Sequence, residues 1–360
     1  MSKKITQMRY FKNVFFLFVL MSAGVSVSAQ DIHFSQFYMS PLNLNPALTG
    51  VMNCNTRVVA NYRNQWSQVL TGDAYNTYSV SYDQKIAVGR SDYFGIGGTF
   101  WGDRAGELSF GTTQGRISFS YSKKMGGYRK TAHYLVFGAD AGISQRRVDL
   151  TNARWPSQHD GSGGFDESAP DPIGTSGNQF NSDFLHGDLS AGLVWFSVLD
   201  ASSSFYAGLA IHHLNRPNVS FFGETTTESL TSRITLHAGG EFELNKNMSL
   251  VPNVVYMSQG EHLEINVGSA VRFNLGSRTD GQSWQLGAWY RIGNNVQGGI
   301  HSDAFIVTTR FDYGNYGIGF SYDATVSQLR NAATANGAFE FSLNYLICGT
   351  EKRSVYCPRF

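Results

Sequence analysis

Three histidines, His212, His213 and His237, have Ser203, Ser204 and Asp188 in their sequence neighbourhood. A hydroxyl, an imidazole and a carboxylate are the parts of a hydrolytic triad, in which the imidazole takes the hydroxyl proton. That chemistry needs an ordered constellation, and the sequence supplies none: it has no Gly-x-Ser-x-Gly elbow and no local order of serine, acid and histidine. The histidines are therefore expected to be structural and the chain not to be an enzyme. A second cluster, Asp160-Gly161-Ser162-Gly163-Gly164-Phe165-Asp166-Glu167 with Asp171, gathers carboxylates of the type calcium uses. Its spacing fits neither an EF-hand nor a Gly/Asp repeat, so it reads as a flexible polar loop, with no metal or cofactor expected. The three cysteines have no metal-ligand spacing and permit at most one disulfide and one free thiol. Cys348 and Cys357 are a candidate pair for an oxidising compartment, with Cys54 as a competing partner.

Non-covalent contact is the better reading of the conspicuous side chains. Phe34, Phe37 and Tyr38 are aromatic anchors in a turn-rich lead that also carries Asn45, and Pro41 and Pro46 fix its backbone. Two roles suit such a lead: a plug at the mouth of a larger structure that also binds a partner, or a leader that merely seals it. Trp155, Phe165 and Phe180 lie in one long link, where apolar groups suit protein–protein contact.

The elements that must position these residues follow from the N-terminus onward. Lys3, Lys4, Arg9 and Lys12 precede an apolar run, Val14 to Leu20, and then the small residues Val27-Ser28-Ala29. This is a secretory signal with cleavage expected before Gln30, too short in its apolar core for a membrane helix. Loss of four cations takes the formal charge from +1 to −3. That balance does not favour nucleic acid, which asks for a basic stripe. Only 15 % of residues are charged and 14 % are aromatic, with 39 glycines, a composition that suits an exported β-protein better than a soluble enzyme.

From Cys54 to Ile347 the chain alternates apolar and polar residues with period two. Ile117, Phe119 and Tyr121 oppose Arg116, Ser118, Ser120 and Ser122; Phe339, Phe341, Leu343 and Tyr345 oppose Glu340, Ser342 and Asn344. Period two is a strand with two unlike faces. Fourteen such runs are expected, near 54–65, 75–86, 94–102, 113–124, 132–146, 186–197, 203–213, 231–244, 248–258, 262–274, 283–293, 303–313, 316–327 and 336–347. Most reach the length that crosses an apolar slab at a tilt, and the count is even, as for bacterial single-chain barrels. The longest links, Arg147–Leu185 and Leu214–Leu230, follow odd-numbered strands, whereas tight turns such as Asn245–Asn247 and Gly314–Asn315 follow even ones. Long connectors outside and short turns inside is the outer-membrane asymmetry. A soluble sandwich would place many Lys and Glu on its wet face. Here that face is Gly, Ser, Thr, Asn and Gln, with ions that look paired, Arg233 with Glu241 and Glu264 with Arg272, which suits an enclosed lumen. The expected fold class is all-β, a transmembrane antiparallel barrel of about fourteen strands, with residues 30–53 and 348–360 on the periplasmic side or folded into the lumen.

The lead also carries a family resemblance. Gln30-Asp31-Ile32-His33-Phe34-Ser35-Gln36-Phe37-Tyr38 and then Ser40-Pro41-Leu42-Asn43-Leu44-Asn45-Pro46-Ala47-Leu48-Thr49-Gly50 closely resemble the opening of the PorP/SprF family, outer-membrane proteins of the type IX secretion system in the Bacteroidetes. Tyr62-Arg63-Asn64-Gln65-Trp66 and the closing Cys357-Pro358-Arg359-Phe360 add to it. The resemblance implies a fourteen-stranded barrel of the fatty-acid-transporter type. It also implies partners: a large secreted surface protein or adhesin, exported or anchored with its help, including that of gliding motility, and periplasmic ring proteins or lipoproteins. A diffusion channel or hydrophobic-ligand transporter is the alternative on the same scaffold.

Overall fold

The computed structural model describes residues 31–67, 74–127, 131–151, 153–159, 164, 166, 180–200, 202–222, 227–275, 281–294, 299–327 and 337–349. The expected signal segment, Phe165, Asp171, Cys357, Phe360 and most of the 160–167 cluster lie outside them.

Fourteen antiparallel strands close into one barrel, each bonded to its neighbours in sequence. They are β1 (Thr56–Gln65), β2 (Tyr75–Val88), β3 (Asp92–Ala105), β4 (Phe110–Gly126), β5 (Ala132–Arg147), β6 (Asp183–Val198), β7 (Ser204–His212), β8 (Arg233–Asn245), β9 (Met248–Gln259), β10 (His262–Asn274), β11 (Ser283–Asn294), β12 (Ile300–Tyr313), β13 (Tyr316–Thr325) and β14 (Ala338–Ile347). The first and last strands seal the ring in register from Thr56↔Ile347 to Gln65↔Ala338. Closure leaves no strand edge with unpaired backbone groups, the condition for a sheet to sit in lipid.

The period-two pattern decides which face points where. On β4, Ile117, Phe119 and Tyr121 are exposed on the outer surface, while Arg116, Ser118, Ser120 and Ser122 are buried inside. The same inversion runs round the ring: Val80, Tyr82, Phe100, Val307 and Phe341 face out, and Ser79, Ser81, Asp83, Thr308 and Glu340 are enclosed. A greasy exterior around a buried polar interior is what a lipid solvent selects.

The short-turn rim carries Lys246–Asn247 and Gly314–Asn315, the latter opened by Gly314 in a left-handed conformation. The opposite rim carries the long connectors, between Arg147 and Asp183 and between His212 and Arg233. That rim is uneven, because β9 and β10 meet there in the two-residue turn Gly260–Glu261. β4 and β6 each start three residues before the expected run. There the strands rise clear of lipid, so an apolar outer face is no longer demanded and the alternation fades.

The interior is not uniformly polar. Tyr134 and Val136 of β5, and Val194, Phe196 and Val198 of β6, point inward and are buried. They form one apolar cluster with Phe37, Met39, Leu44, Ala47 and Leu48 of the lead. The lead is a small hydrophobic core inside the barrel.

Candidate functional site

Residues 34–52 occupy the lumen in three short helical turns, Phe37–Met39, Pro41–Leu44 and Pro46–Leu48. Pro41 and Pro46 stand at the first position of their turns, where a missing N–H costs nothing. Asn45 caps the last turn by accepting from the Ala47 N–H at 2.9 Å. Its side-chain amide also reaches the Leu193 and Leu209 carbonyls at 3.3 and 3.1 Å, and His237 Nε2 at 3.0 Å. One side chain thus ties the lead to β6, β7 and β8. The wall gives way where the lead presses on it. At Gly192 a Cβ would overlap the Asn45 carboxamide, and at Gly138 it would overlap the Ala47 backbone.

Two charged clamps hold the ends. Near the short-turn rim, Arg57 grips Asp83 through two nitrogens, at 3.0 and 2.8 Å, and donates to the Leu48 carbonyl at 3.0 Å. Asp83 also accepts the Gly50 N–H at 2.7 Å. Towards the long-connector rim, Glu340 accepts the backbone N–H groups of Ser35 and Gln36 and pairs with Arg63. Ser35 Oγ donates to Asp323 at 2.6 Å, and Asp323 pairs with Arg63 at 3.1 Å and Arg291 at 2.9 Å. Both arginines also donate to Ser35 Oγ. Buried charges persist only when paired and hydrogen-bonded in this way. Between the clamps Tyr38 stacks on Trp289, centroids 5.4 Å apart, and Asn43 bridges Ser79 and Arg116. His33 lies 3.5 Å from Glu264. Partial burial holds its pKa below the ordinary imidazole value against the pull of that carboxylate.

Phe34, Phe37, Tyr38, Asn45 and Pro46, the lead residues expected to serve partner contact, are placed inside the lumen. All five are buried against the inner wall, where a lead that fills the lumen must spend its apolar groups. The expected ion pairs are also re-sorted. Arg272 pairs with Glu241 across the sheet, Glu264 meets His33, and Arg233 donates to the Ile32 carbonyl. Eight positions along one strand span about 26 Å, too far for a pair, whereas Arg272 on β10 reaches Glu241 on β8 across the inner face of β9. The cysteine pair is Cys54–Cys348, not Cys348–Cys357. Cys54 precedes β1 and Cys348 follows β14, so closing the ring brings them together from opposite ends of the chain.

The histidines take different partners. His213 Nδ1 is 2.9 Å from Asp188, which also accepts from Gln114. His212 meets Ser190 and the Leu44 carbonyl, and His237 meets Asn45. Ser203 and Ser204 lie at the other end of β7 from His212 and His213, so no serine–histidine–acid arrangement is built from the residues singled out. Among the described residues no three His, Cys, Asp or Glu side chains converge as a metal site.

The long-connector rim holds a cluster that the sequence reading caught only in part. Phe180 stacks on Phe221 at 5.7 Å and meets Phe222 edge-on, while Phe184 and Phe110 also contact Phe221. Arg146 lies 5.7 Å over the Phe110 ring. All five phenyl rings are half-buried, as is Trp155 of the same connector. A signal was available: Phe110 precedes Thr112, Gln114 and Arg116 in the inward row of β4, and Phe184 precedes His186, Asp188 and Ser190 in that of β6, so each is an apolar residue at the head of a polar row.

Several solved structures match the chain at low identity. CdiB from Escherichia coli matches with a TM-score of 0.45 at 7 % identity, over 81 % of this chain and 63 % of that one. The Pseudomonas putida toluene transporter TodX matches with a TM-score of 0.37 at 11 % identity, over 85 % of this chain and 93 % of that one. The COG4313 outer membrane channel from Pseudomonas putida F1 matches with a TM-score of 0.35 at 10 % identity, over 82 % and 96 %. The chain spans about three-fifths of the length of the CdiB chains from Escherichia coli and Acinetobacter baumannii. No curated protein matches it. A family model described as type IX secretion system membrane protein PorP/SprF matches residues 26–345, essentially the whole barrel with its lead. With a lipid-facing exterior, a closed ring and this match, the chain is an outer-membrane β-barrel belonging to the PorP/SprF family of the type IX secretion system.

Proposed function

We propose that this barrel is a non-enzymatic holding component of the type IX secretion or gliding machinery, which binds a large secreted surface protein on its outer side and meets periplasmic components on its inner side. One observation carries the reading: the lumen is occupied by the chain's own lead, pinned at both ends by buried charge, while the long connectors and their phenyl cluster stand on one rim. A rigid, filled barrel offers a surface. Aromatic groups that are only half-buried in connectors are the usual anchors of protein interfaces, with large contact area and few rotors to freeze. Phe180 and Trp155 keep this role, and Phe110, Phe184, Phe221 and Phe222 join them. The short turns on the other rim, with the carboxy-terminal segment, form the face for periplasmic ring proteins or lipoproteins.

The test is site-specific crosslinking in cells. A photo-reactive residue at Phe222 is expected to crosslink to one large secreted protein; the same group at Asn315 in the short turn is not. Crosslinks to that protein from both positions alike, or from Asn315 alone, would defeat the assignment of faces. No crosslink to any secreted protein from Phe222, Phe180 or Trp155 would defeat the holding role.

A further inference from the structure

The lead does not stay near the rim where it joins the barrel. Cys54 is at the short-turn rim, bonded to Cys348 beyond the end of β14. Going backwards along the chain, Met52 accepts from Lys85 near the inner end of β2 and Gly50 meets Asp83. Thr49 meets Ser118 and Ser120 on β4, and Asn45 meets the middle of β6. Ser35 then binds Glu340, the third residue of β14, a strand that starts at the long-connector rim. His33 meets Glu264, the third residue of β10, which starts at the same rim. The Ile32 carbonyl accepts from Arg233, the first residue of β8, which also starts there. Ile32 and His33 are half-exposed, whereas Phe34 to Leu42 are buried without a break. The chain has climbed the lumen from one rim to the other.

We propose that the mature amino terminus of this protein opens at the cell-surface mouth of the barrel, not on the periplasmic side where the lead joins β1. With signal cleavage before Gln30, two residues separate the new terminus from Ile32. Extended, they span at most about 7 Å, against a lipid-facing band about 25 Å tall. They are too short to return to the inner rim. The consequence concerns partners: the extreme N-terminus belongs to the face assigned above to the secreted client, and periplasmic components are left with the short turns and the carboxy-terminal segment. The inference deepens that assignment, but its test needs no client, so the two fail separately.

An epitope inserted between Gln30 and Asp31 of the full-length chain is compared with one appended after Phe360. The expected result is antibody labelling of the first on intact cells, equal to that after permeabilisation, and labelling of the second only after permeabilisation. Labelling of the Gln30 epitope only in permeabilised cells would overturn the proposal. Should the insertion block assembly, judged by loss of heat-modifiable migration, Ile32→Cys with Cys357→Ser replaces it. A membrane-impermeant maleimide should then modify Cys at position 32 on intact cells, while Asn315→Cys in the same background reacts only once the outer membrane is breached. The reverse order would equally overturn it.

Discussion

Gly192 and Gly138 show how single residues of the wall are set by what lies inside it. Neither is needed for a turn; each is an inward strand position where the lead comes so near that a Cβ has no room. Gly192→Val should therefore overpack the interior and cost about 1–3 kcal/mol, read as a lower urea midpoint in detergent. Gly187→Ala, on the lipid face of the same strand with only a carbonyl 4.0 Å away, should leave the midpoint unchanged. The charged residues behave by the same logic. Arg63 is buried between Asp323, Glu340 and Ser35. Arg63→Ala leaves the buried Glu340 without its cation and Asp323 with Arg291 alone, and should cost about 3–5 kcal/mol. Loss of the exposed Lys123 partner of Asp92 should be silent in the same assay, since water screens that pair.

At the scale of elements, β6 does two jobs. Its first half alternates cleanly, Leu189 out against Asp188 and Ser190 in. Further on, Leu193-Val194-Trp195-Phe196 is apolar on both faces, Leu193 and Trp195 turning outward while Val194 and Phe196 join the lead's cluster. An uninterrupted apolar run is the sequence mark of a strand buried on both sides. The β1–β14 seam is the other special element. It joins the two ends of the barrel, and Cys54–Cys348 staples it at one rim. Non-reducing peptide mapping should recover that crosslink and find Cys357 free to alkylate. Cys54→Ser should lower stability by about 2–4 kcal/mol, the usual worth of a native disulfide, without reopening the ring, since the ten paired positions from Thr56 to Gln65 remain.

The molecule as a whole is a barrel with its interior already used. Phe37, Leu44, Ala47 and Leu48 pack on the apolar side of the wall; on the polar side Asp83 and Glu340 hold the lead's backbone and Asp323 holds the Ser35 hydroxyl. A diffusion channel needs a continuous water path, and a greasy transporter needs an empty slot. The intact protein in a planar bilayer should show no open-channel current. Deletion of residues 31–50 should produce conductance steps, or a barrel that unfolds at lower denaturant because its Gly-lined wall has lost its filling. Steady currents from the intact chain would restore the channel reading.

The sequence by itself determined the strand count, the face each strand turns to lipid and the rim that bears the long connectors. All three follow from local rules: period-two alternation, strand length and the parity of connectors. Tertiary structure alone decided that the lead climbs the whole lumen, that Cys54 takes Cys348, and that Arg272 rather than Arg233 takes Glu241. Those are contacts between residues far apart in the chain, fixed only when the ring closes and its radius sets what fits inside. Alternation tells a side chain which way to face; it cannot say what it will find there.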